Sequence, residues 1–164
     1  MASSGTSPAS FEIRKAGEDD LSAILSLVNQ AFTVERFFLA HERTNSDQLS
    51  QLFERGVFLL AEDSTRTLAG LIYVELRGER GYFGLLSVDP QRQRGGLGKL
   101  LVAAAEDYAR KRECAAMEIT VVNLRTELPP FYRKLGYAEV GTAPLHEGMT
   151  VTQPAHLIIM SKPL

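Results

Sequence analysis

Three apolar segments follow one another between residues 57 and 88, joined only by short polar turns. The segments cover residues 57–61, 68–76 and 82–88, and the turns cover residues 62–66 and 77–81. A parallel pair of strands needs a crossover of a dozen or so residues, whereas a few residues are enough to join antiparallel strands. The spacing therefore predicts an antiparallel meander of three strands in the middle of the chain.

Further helices and strands are predicted on both sides of this meander from the spacing of apolar residues. The expected strands are residues 11–16, 115–122, 137–140 and 156–160. The expected helices begin at residues 18–20, at Ser46-Asp47, after the glycines of residues 95–98 and at Pro129-Pro130. This order predicts one α/β domain, with a mixed, mostly antiparallel sheet of about seven strands flanked by about four helices.

The long helix after the glycines has an expected core face and an expected solvent face. Helical spacing turns these residues toward the core: Leu97, Leu100, Leu101, Ala104 and Tyr108. The charged residues between them, Lys99, Glu106, Arg110 and Lys111, are expected to face water.

Composition excludes several classes of protein. With 18 basic and 20 acidic side chains the net charge is −2, so the basic footprint of a nucleic-acid binder is missing. The single cysteine, Cys114, excludes an internal disulfide framework, and the three histidines lack the spacing of a metal motif. No apolar run approaches the roughly 20 residues of a membrane span. We therefore expect no metal, no nucleic-acid partner and no membrane partner.

The first ten residues are mostly small and uncharged. They contain neither the basic and apolar regions of a signal peptide nor the arginines of a transit peptide. We expect a flexible tail over residues 1–10, a domain over residues 11–164 and a cytoplasmic location.

A glycine-rich turn, residues 95–98, lies between the third meander strand and the long helix. Such a turn points successive N–H groups outward and the helix N-terminus adds partial positive charge, so it can hold a phosphate. Arg92, Arg94 and Lys99 add full positive charges. Two common phosphate loops do not fit. Lys99 is not followed by the Ser or Thr of a Walker A loop, and Leu101 replaces the third glycine of a dinucleotide fingerprint.

The pattern that does fit is Q-x-x-G-x-G, here QRGGLG at residues 93–98, preceded by Val88 and Pro90 in the order V-x-P. A second motif, FYRKLGY, occupies residues 131–137. These motifs, with the order of elements over residues 11–164, resemble the GCN5-related N-acetyltransferase (GNAT) superfamily. The resemblance implies an acetyl-CoA-dependent N-acetyltransferase. Such an enzyme acetylates a primary amine of a small molecule or protein by direct attack, without a covalent enzyme intermediate.

The same resemblance implies roles for individual residues. The backbone of Leu86 and Val88 would pair with the pantetheine arm of acetyl-CoA, and Asn123 would contact the cofactor near that arm. Tyr132 would protonate the departing thiolate, since a phenol can serve as a general acid. The implied cofactor-binding residues are Leu86, Val88, Gln93, Arg94, Gly95, Gly96, Leu97, Gly98, Lys99, Asn123 and Tyr132.

The residues leave several alternatives open. Tyr132 is otherwise a core aromatic, and Asn123 is otherwise a turn residue. The general base is Glu75, Glu118, His146 or a chain of water molecules. The alternative function is a non-catalytic acyl-CoA-binding sensor or interaction module of the same fold. Either would be a monomer or a homodimer.

Two further features bear on the site. Pro129-Pro130 stand where the family commonly has ordinary helix formers, which puts the start of that helix and the position of Tyr132 in question. The resemblance also implies that the region between the first two helices lines the acceptor site. Four arginines of the chain either favour an acidic acceptor or are ordinary surface charges: Arg36, Arg43, Arg77 and Arg80.

Overall fold

The computed structural model describes residues 10–92 and 95–164. Residues 1–9 of the expected tail and two expected cofactor-binding residues, Gln93 and Arg94, lie outside the described residues. The strands are β1 (Glu12–Lys15), β2 (Val57–Glu62), β3 (Leu68–Arg77), β4 (Arg80–Val88), β5 (Ala116–Val122), β6 (Ala138–Ala143) and β7 (Leu157–Pro163). The helices are α1 (Leu21–Ala31), α2 (Ser46–Arg55), α3 (Leu97–Lys111) and α4 (Leu128–Lys134). Short 3-10 turns cover Glu18–Asp20, Phe32–Glu35 and Pro90–Arg92.

The strands form one sheet in the order β1-β2-β3-β4-β5-β7-β6. β2, β3 and β4 pair antiparallel through hairpin turns, as their short connections predict. Within the described residues β4 and β5 are the one parallel pair, and α3 supplies the crossover between them. The predicted fold class, a mixed and mostly antiparallel seven-stranded sheet with four helices, is confirmed.

Helices cover both faces of the sheet, which explains why β2 is apolar at successive positions. Val57 and Leu59 share one buried cluster with side chains of α3. Phe58 and Leu60 point the other way and share a second cluster with side chains of α1. Because side chains alternate across a strand, burial of both faces requires a continuous apolar run.

The core face of α3 differs from the predicted one. Leu97 and Leu101 are buried as expected, but Leu100 is 41% exposed, so the prediction for Leu100 is wrong. The helix approaches the sheet through small residues instead. The Ala109 side chain lies so close to β4 that a Cβ atom added to Gly81 would come within 2.9 Å of it. The buried side of α3 carries Leu101, Ala105 and Ala109, and at 100° per residue Leu100 lies on the opposite side of the helix.

Glu106 of α3 is buried, with 7% of its surface exposed, so the expected solvent position is wrong. The Tyr137 hydroxyl donates a hydrogen bond to Oε2 at 2.7 Å. The Lys162 ammonium lies 3.1 Å from each carboxylate oxygen. A charge can be buried when it is paired and hydrogen-bonded, and both partners come from distant parts of the chain.

Candidate active site

A wedge opens between the two central strands of the sheet. β4 and β5 pair only through Arg80–Tyr82 and Ala116–Glu118, and then diverge. Just beyond, the register of β4 against β3 shifts and Leu85 has a positive φ of 53°. The buried Ser87 hydroxyl donates to the Leu85 carbonyl at 2.9 Å and holds this bulge. A bulge bends its strand and increases the twist, so it carries β4 away from β5.

A cavity of about 130 Å³ lies in this wedge, and we call it the wedge cavity. Leu86 of β4, Val121 of β5 and Tyr132 of α4 are among its lining residues. Val88 lies at the end of β4, where it pairs with Gly70 of β3. Strand pairing with β5 ends at Tyr82, so the rest of this edge of β4 is available to pair with an extended ligand.

The glycine-rich turn ends at the N-terminus of α3, close to the mouth of the wedge. Gly96 caps the helix with a positive φ of 76°, a conformation that favours glycine, and an added Cβ atom would meet nothing within 4 Å. The first intrahelical bond runs from the Leu100 N–H to the Gly96 carbonyl. By helix geometry the N–H groups of Leu97, Gly98 and Lys99 have no intrahelical acceptor, and such groups can bind an anion.

The other expected residues of this turn differ in their environment. Leu97 is buried and anchors the helix in the core, whereas Lys99 is exposed. An added Cβ atom at Gly98 would lie 3.7 Å from the ring of Phe131, so the turn faces α4. The Gly95 N–H donates to the Arg92 carbonyl at 3.4 Å.

Arg92 contributes less positive charge to this turn than the sequence implies. Its guanidinium lies 2.8 Å from the Asp63 carboxylate and 3.9 Å from that of Asp89. Both carboxylates therefore compete with any phosphate for this side chain. Hydrogen bonds from Thr65 and Thr67 and from Arg92 hold the pKa of Asp63 well below its usual range.

Tyr132 is buried in α4, with 6% of its surface exposed. The helix begins at Leu128 and places both prolines in its first turn, where proline is tolerated, so they do not delay the helix. The Tyr132 ring packs against Phe83, with ring centres 5.9 Å apart. Burial raises the pKa of Tyr132 above its usual value. The phenol therefore stays protonated at neutral pH and keeps a proton to donate.

Asn123 follows β5 and makes contacts that hold the strands together. Its side-chain oxygen accepts the His156 N–H at 2.8 Å, and its own N–H donates to the His156 carbonyl at 2.9 Å. These bonds connect the end of β5 to the start of β7. These hydrogen bonds are the kind expected of a turn residue, the alternative considered from the sequence. A contact between Asn123 and the cofactor stays a prediction.

Glu35, a residue that the sequence reasoning missed, lines the wedge cavity and is only 3% exposed. Its Oε2 accepts from the Arg125 guanidinium at 2.7 Å. Its Oε1 is buried without a hydrogen-bond partner in the part of the chain that the structure describes. Burial raises the pKa of Glu35, against the opposing effect of Arg125. The signal that could have singled it out is a carboxylate in a short segment that also carries three phenylalanines, Phe32, Phe37 and Phe38.

A family profile described as an acetyltransferase (GNAT) domain matches residues 28–154, which is well over half of the chain. The chain belongs to the GNAT acetyltransferase family.

Known relatives of this GNAT domain differ in the acceptor that their names give. It is 29% identical over 152 residues to glucosamine 6-phosphate N-acetyltransferase 1 of Oryza sativa subsp. japonica, covering 84% of this chain and 87% of that protein. It is 23% identical over 141 residues to mycothiol acetyltransferase of Propionibacterium freudenreichii, covering 82% of this chain. The chain spans 45% of the length of that mycothiol acetyltransferase and 42% of a second one, from Saccharopolyspora erythraea.

Solved structures show the same fold. The ribosomal-protein-S18-alanine N-acetyltransferase from Escherichia coli matches with a TM-score of 0.72 at 21% identity, over 94% of each chain. Within the described ranges, no helix of this GNAT domain is long and apolar enough to cross a membrane.

The general bases considered from the sequence lie in different places. Glu118 pairs with Arg80 at 3.2 Å, in the half of β4 that is closed against β5. Glu75 accepts hydrogen bonds from Tyr73 and Arg77, which lower its pKa although burial opposes this. His146 lines the wedge cavity and is exposed at its mouth, and partial desolvation and the nearby Arg43 and Arg77 lower its pKa. Of these three groups, His146 is the one in the wedge cavity.

Proposed function

We propose that this GNAT domain binds acetyl-CoA in the wedge and transfers the acetyl group to a primary amine of a small molecule or protein. The observation that carries the proposal is the part of β4 beyond Tyr82, residues 83–88, which we call its open half because pairing with β5 has ended there. The first turn of α3 lies close to it, since a Cβ atom added to Gly98 would be 3.9 Å from Leu86. An extended amide-containing arm fits a free strand edge, and a pyrophosphate fits a helix N-terminus. The residues present therefore suit acetyl-CoA, which would supply the activated thioester.

Tyr132 and the backbone of β4 would support the leaving group and the developing negative charge. Transfer forms a bond between the amine nitrogen and the acetyl carbon and breaks the bond from that carbon to sulfur. Tyr132, which lines the wedge cavity, would donate its phenolic proton to the departing thiolate. A backbone N–H of the open half of β4 would stabilise the oxyanion.

Glu35 is our candidate for the group that removes the proton of the amine, with His146 as the alternative. A base needs a free lone pair near the reacting nitrogen. Glu35 Oε1 has no hydrogen-bond partner among the described residues, and the residue lines the wedge cavity. The raised pKa of Glu35 makes this carboxylate a stronger base than an ordinary glutamate.

The cofactor site is tested by thermal unfolding with and without acetyl-CoA. Ligand at about 100 times its dissociation constant stabilises a folded protein by roughly 2.7 kcal/mol. We expect this stabilisation in the wild type and not in Gly96→Glu, because the new carboxylate would repel the pyrophosphate. Gly78→Glu is the matched control. Gly78 also has a positive φ, 66°, with open space around it, but lies in the β3–β4 turn.

A binding-only module and an enzyme give different results in a second assay. Release of free CoA thiol is followed with a panel of amines. An enzyme produces thiol in proportion to acetylated amine, whereas the alternative acyl-CoA-binding module shows thermal stabilisation without turnover. Equal stabilisation of wild type and Gly96→Glu would contradict the cofactor site. The cytoplasmic location, the tail and the oligomeric state expected from the sequence remain predictions.

A further inference from the structure

A second, wider cavity of about 360 Å³ adjoins the wedge cavity, and we call it the wide cavity. It lies between α2, the second half of β3 and residues 146–149. Arg43, Tyr82, Leu85 and His146 line both cavities. A molecule in the wide cavity can therefore extend into the wedge, and the volume is in the range of small-molecule sites.

One arginine of the wide cavity forms an ion pair with a carboxylate that lines the same cavity. Arg77 pairs with the Glu75 carboxylate and stacks on the Tyr82 ring, with its guanidinium carbon 3.9 Å from the ring centre. The Tyr73 hydroxyl donates to the other oxygen of Glu75 at 2.6 Å. Glu75 thus has its hydrogen bonds satisfied by internal partners, and its interaction with Arg55 is a longer-range one that lowers the pKa of Glu75 without a direct ion pair.

Two other arginines of the wide cavity have no such partner. Across residues 10–92 and 95–164, no carboxylate oxygen lies within 4.0 Å of the guanidinium of Arg43 or Arg55. The other acidic lining residue, Glu147, is exposed. A guanidinium stays charged at all physiological pH values and binds carboxylate or phosphate through paired N–H groups. The wide cavity is therefore complementary to an anion.

Hydrogen bonds connect the walls of this cavity to each other. Leu39 forms a β-bridge with Val151, and the Ala40 N–H donates to the Thr150 carbonyl at 2.9 Å. The Nε2 atom of His41 accepts the Thr150 N–H at 3.0 Å. These bonds join the segment that carries Arg43 to the loop that carries His146. A preformed site loses less conformational entropy on binding.

We propose that the acceptor is a small amine that also carries a carboxylate or a phosphate. The anionic group binds Arg43 and Arg55 in the wide cavity, and the amine extends into the wedge cavity that Glu35 lines. This inference rests on the proposed acetyl transfer and adds the chemical class of the acceptor.

Pairs of amines that differ in the presence of an anionic group test the proposed class of acceptor. Glucosamine 6-phosphate is compared with glucosamine, and glycine with glycinamide, by kcat/KM from CoA thiol release. The first pair detects a preference for phosphate and the second a preference for carboxylate. We expect the anionic member of at least one pair to be the better substrate by about 10-fold or more, as for other charge-assisted contacts.

Variants of the arginines test the site. Arg43→Gln and Arg55→Gln are expected to raise the KM of the preferred anionic amine by about 10-fold each. The KM of its neutral counterpart should change much less, and Arg55→Gln gives the cleaner comparison because Arg43 also acts on Glu35 and His146 in the wedge cavity. Arg66→Gln is the matched control, because Arg66 is an exposed arginine in the β2–β3 turn and should leave KM unchanged. Thermal stabilisation of the wild type by each amine alone gives a readout that does not depend on turnover.

The outcomes separate this inference from the proposed function. Stabilisation or turnover that favours the anionic member and is lost in Arg43→Gln and Arg55→Gln supports the anionic class. Stabilisation by acetyl-CoA with no preference for any anionic member overturns the inference and leaves acetyl transfer standing. Preference for a peptide with an acidic first residue over every small amine also overturns it. Absence of stabilisation by acetyl-CoA overturns the proposed function and the inference with it.

Discussion

The two halves of β4 differ in how their polar groups are satisfied. In the closed half β4 pairs with β5, Arg80 pairs with Glu118, and Gly81 lies tightly against α3. In the open half the pairing with β5 ends, Leu85 has a positive φ, and a cavity takes the place of a neighbouring strand. Unsatisfied polar groups and backbone strain tend to collect at functional sites, at some cost in stability. We infer that the closed half stabilises the sheet and the open half binds ligand.

Two buried carboxylates show the same difference. Both oxygens of Glu106 have partners, since Lys162 and the Tyr137 hydroxyl surround the group. Glu35 has one oxygen on Arg125 and one without a partner in the described residues. A fully satisfied carboxylate serves the fold, whereas a half-satisfied one keeps a lone pair for a ligand or a proton.

Tyr132→Phe is expected to have the largest effect among single-atom changes. Loss of a general acid typically lowers kcat by about 100- to 10,000-fold. The ring would keep its packing on Phe83, so thermal stability and stabilisation by acetyl-CoA should stay near those of the wild type. Steady-state kinetics and thermal unfolding measure these two effects separately.

Tyr137→Phe is the matched control, because Tyr137 belongs to the fully hydrogen-bonded group of Glu106, Tyr137 and Lys162. It removes the hydroxyl that donates to Glu106, so it should cost about 1 kcal/mol of stability and leave kcat unchanged. If Tyr132→Phe transfers acetyl at the full rate, the proton-donor role is wrong, although acetyl transfer itself is not.

Glu35→Gln is expected to lower kcat/KM by about 100-fold, the lower range for loss of a general base. The pH profile identifies the base. Because a base must be deprotonated, kcat/KM falls as pH drops through its pKa, which for Glu35 lies above the usual 4.5. This acid limb should vanish in Glu35→Gln and persist in His146→Gln. The reverse pattern would assign the proton transfer to His146.

The same substitution should not cost stability. Because burial raises the pKa of folded Glu35, its contribution to stability is greatest below the unfolded pKa and is lost as pH rises through the folded pKa. Glu35→Gln should therefore unfold at a temperature equal to or above that of the wild type at pH 7, with the difference shrinking toward pH 4. Arg125 keeps Glu127 as a partner at 3.0 Å.

Glu106→Gln should show the opposite pattern and the smallest effect on activity. The new amide cannot pair with the Lys162 charge, so we expect a loss of about 2 kcal/mol in the free energy of unfolding. Denaturant unfolding measures this loss, and kcat/KM of the folded enzyme should be unchanged. A Glu106→Gln variant that keeps its stability but loses activity would contradict the assignment of Glu106 to stability and of Glu35 to proton transfer.

Local sequence patterns predicted most of the secondary structure and part of the site. The meander strands, α3 and α4 lie where apolar spacing and proline placed them, because these signals depend on residues close together in the chain. Gly96 and Tyr132 were singled out by motif, and the structure brings both to the region of the wedge. Gln93 and Arg94, from the same motif, lie outside the described residues.

Tertiary structure alone decided the environments of the charged side chains. Glu35 meets Arg125, and Glu106 meets Lys162, across long separations in the chain. Leu100 faces solvent because α3 packs on the sheet through the opposite side, which carries Ala105 and Ala109. The wedge itself forms where β4 stops pairing with β5 after Tyr82, just before a bulge in β4 against β3. Periodicity reports which face of an element is apolar, but burial, charge pairing and strand divergence depend on which elements meet in space.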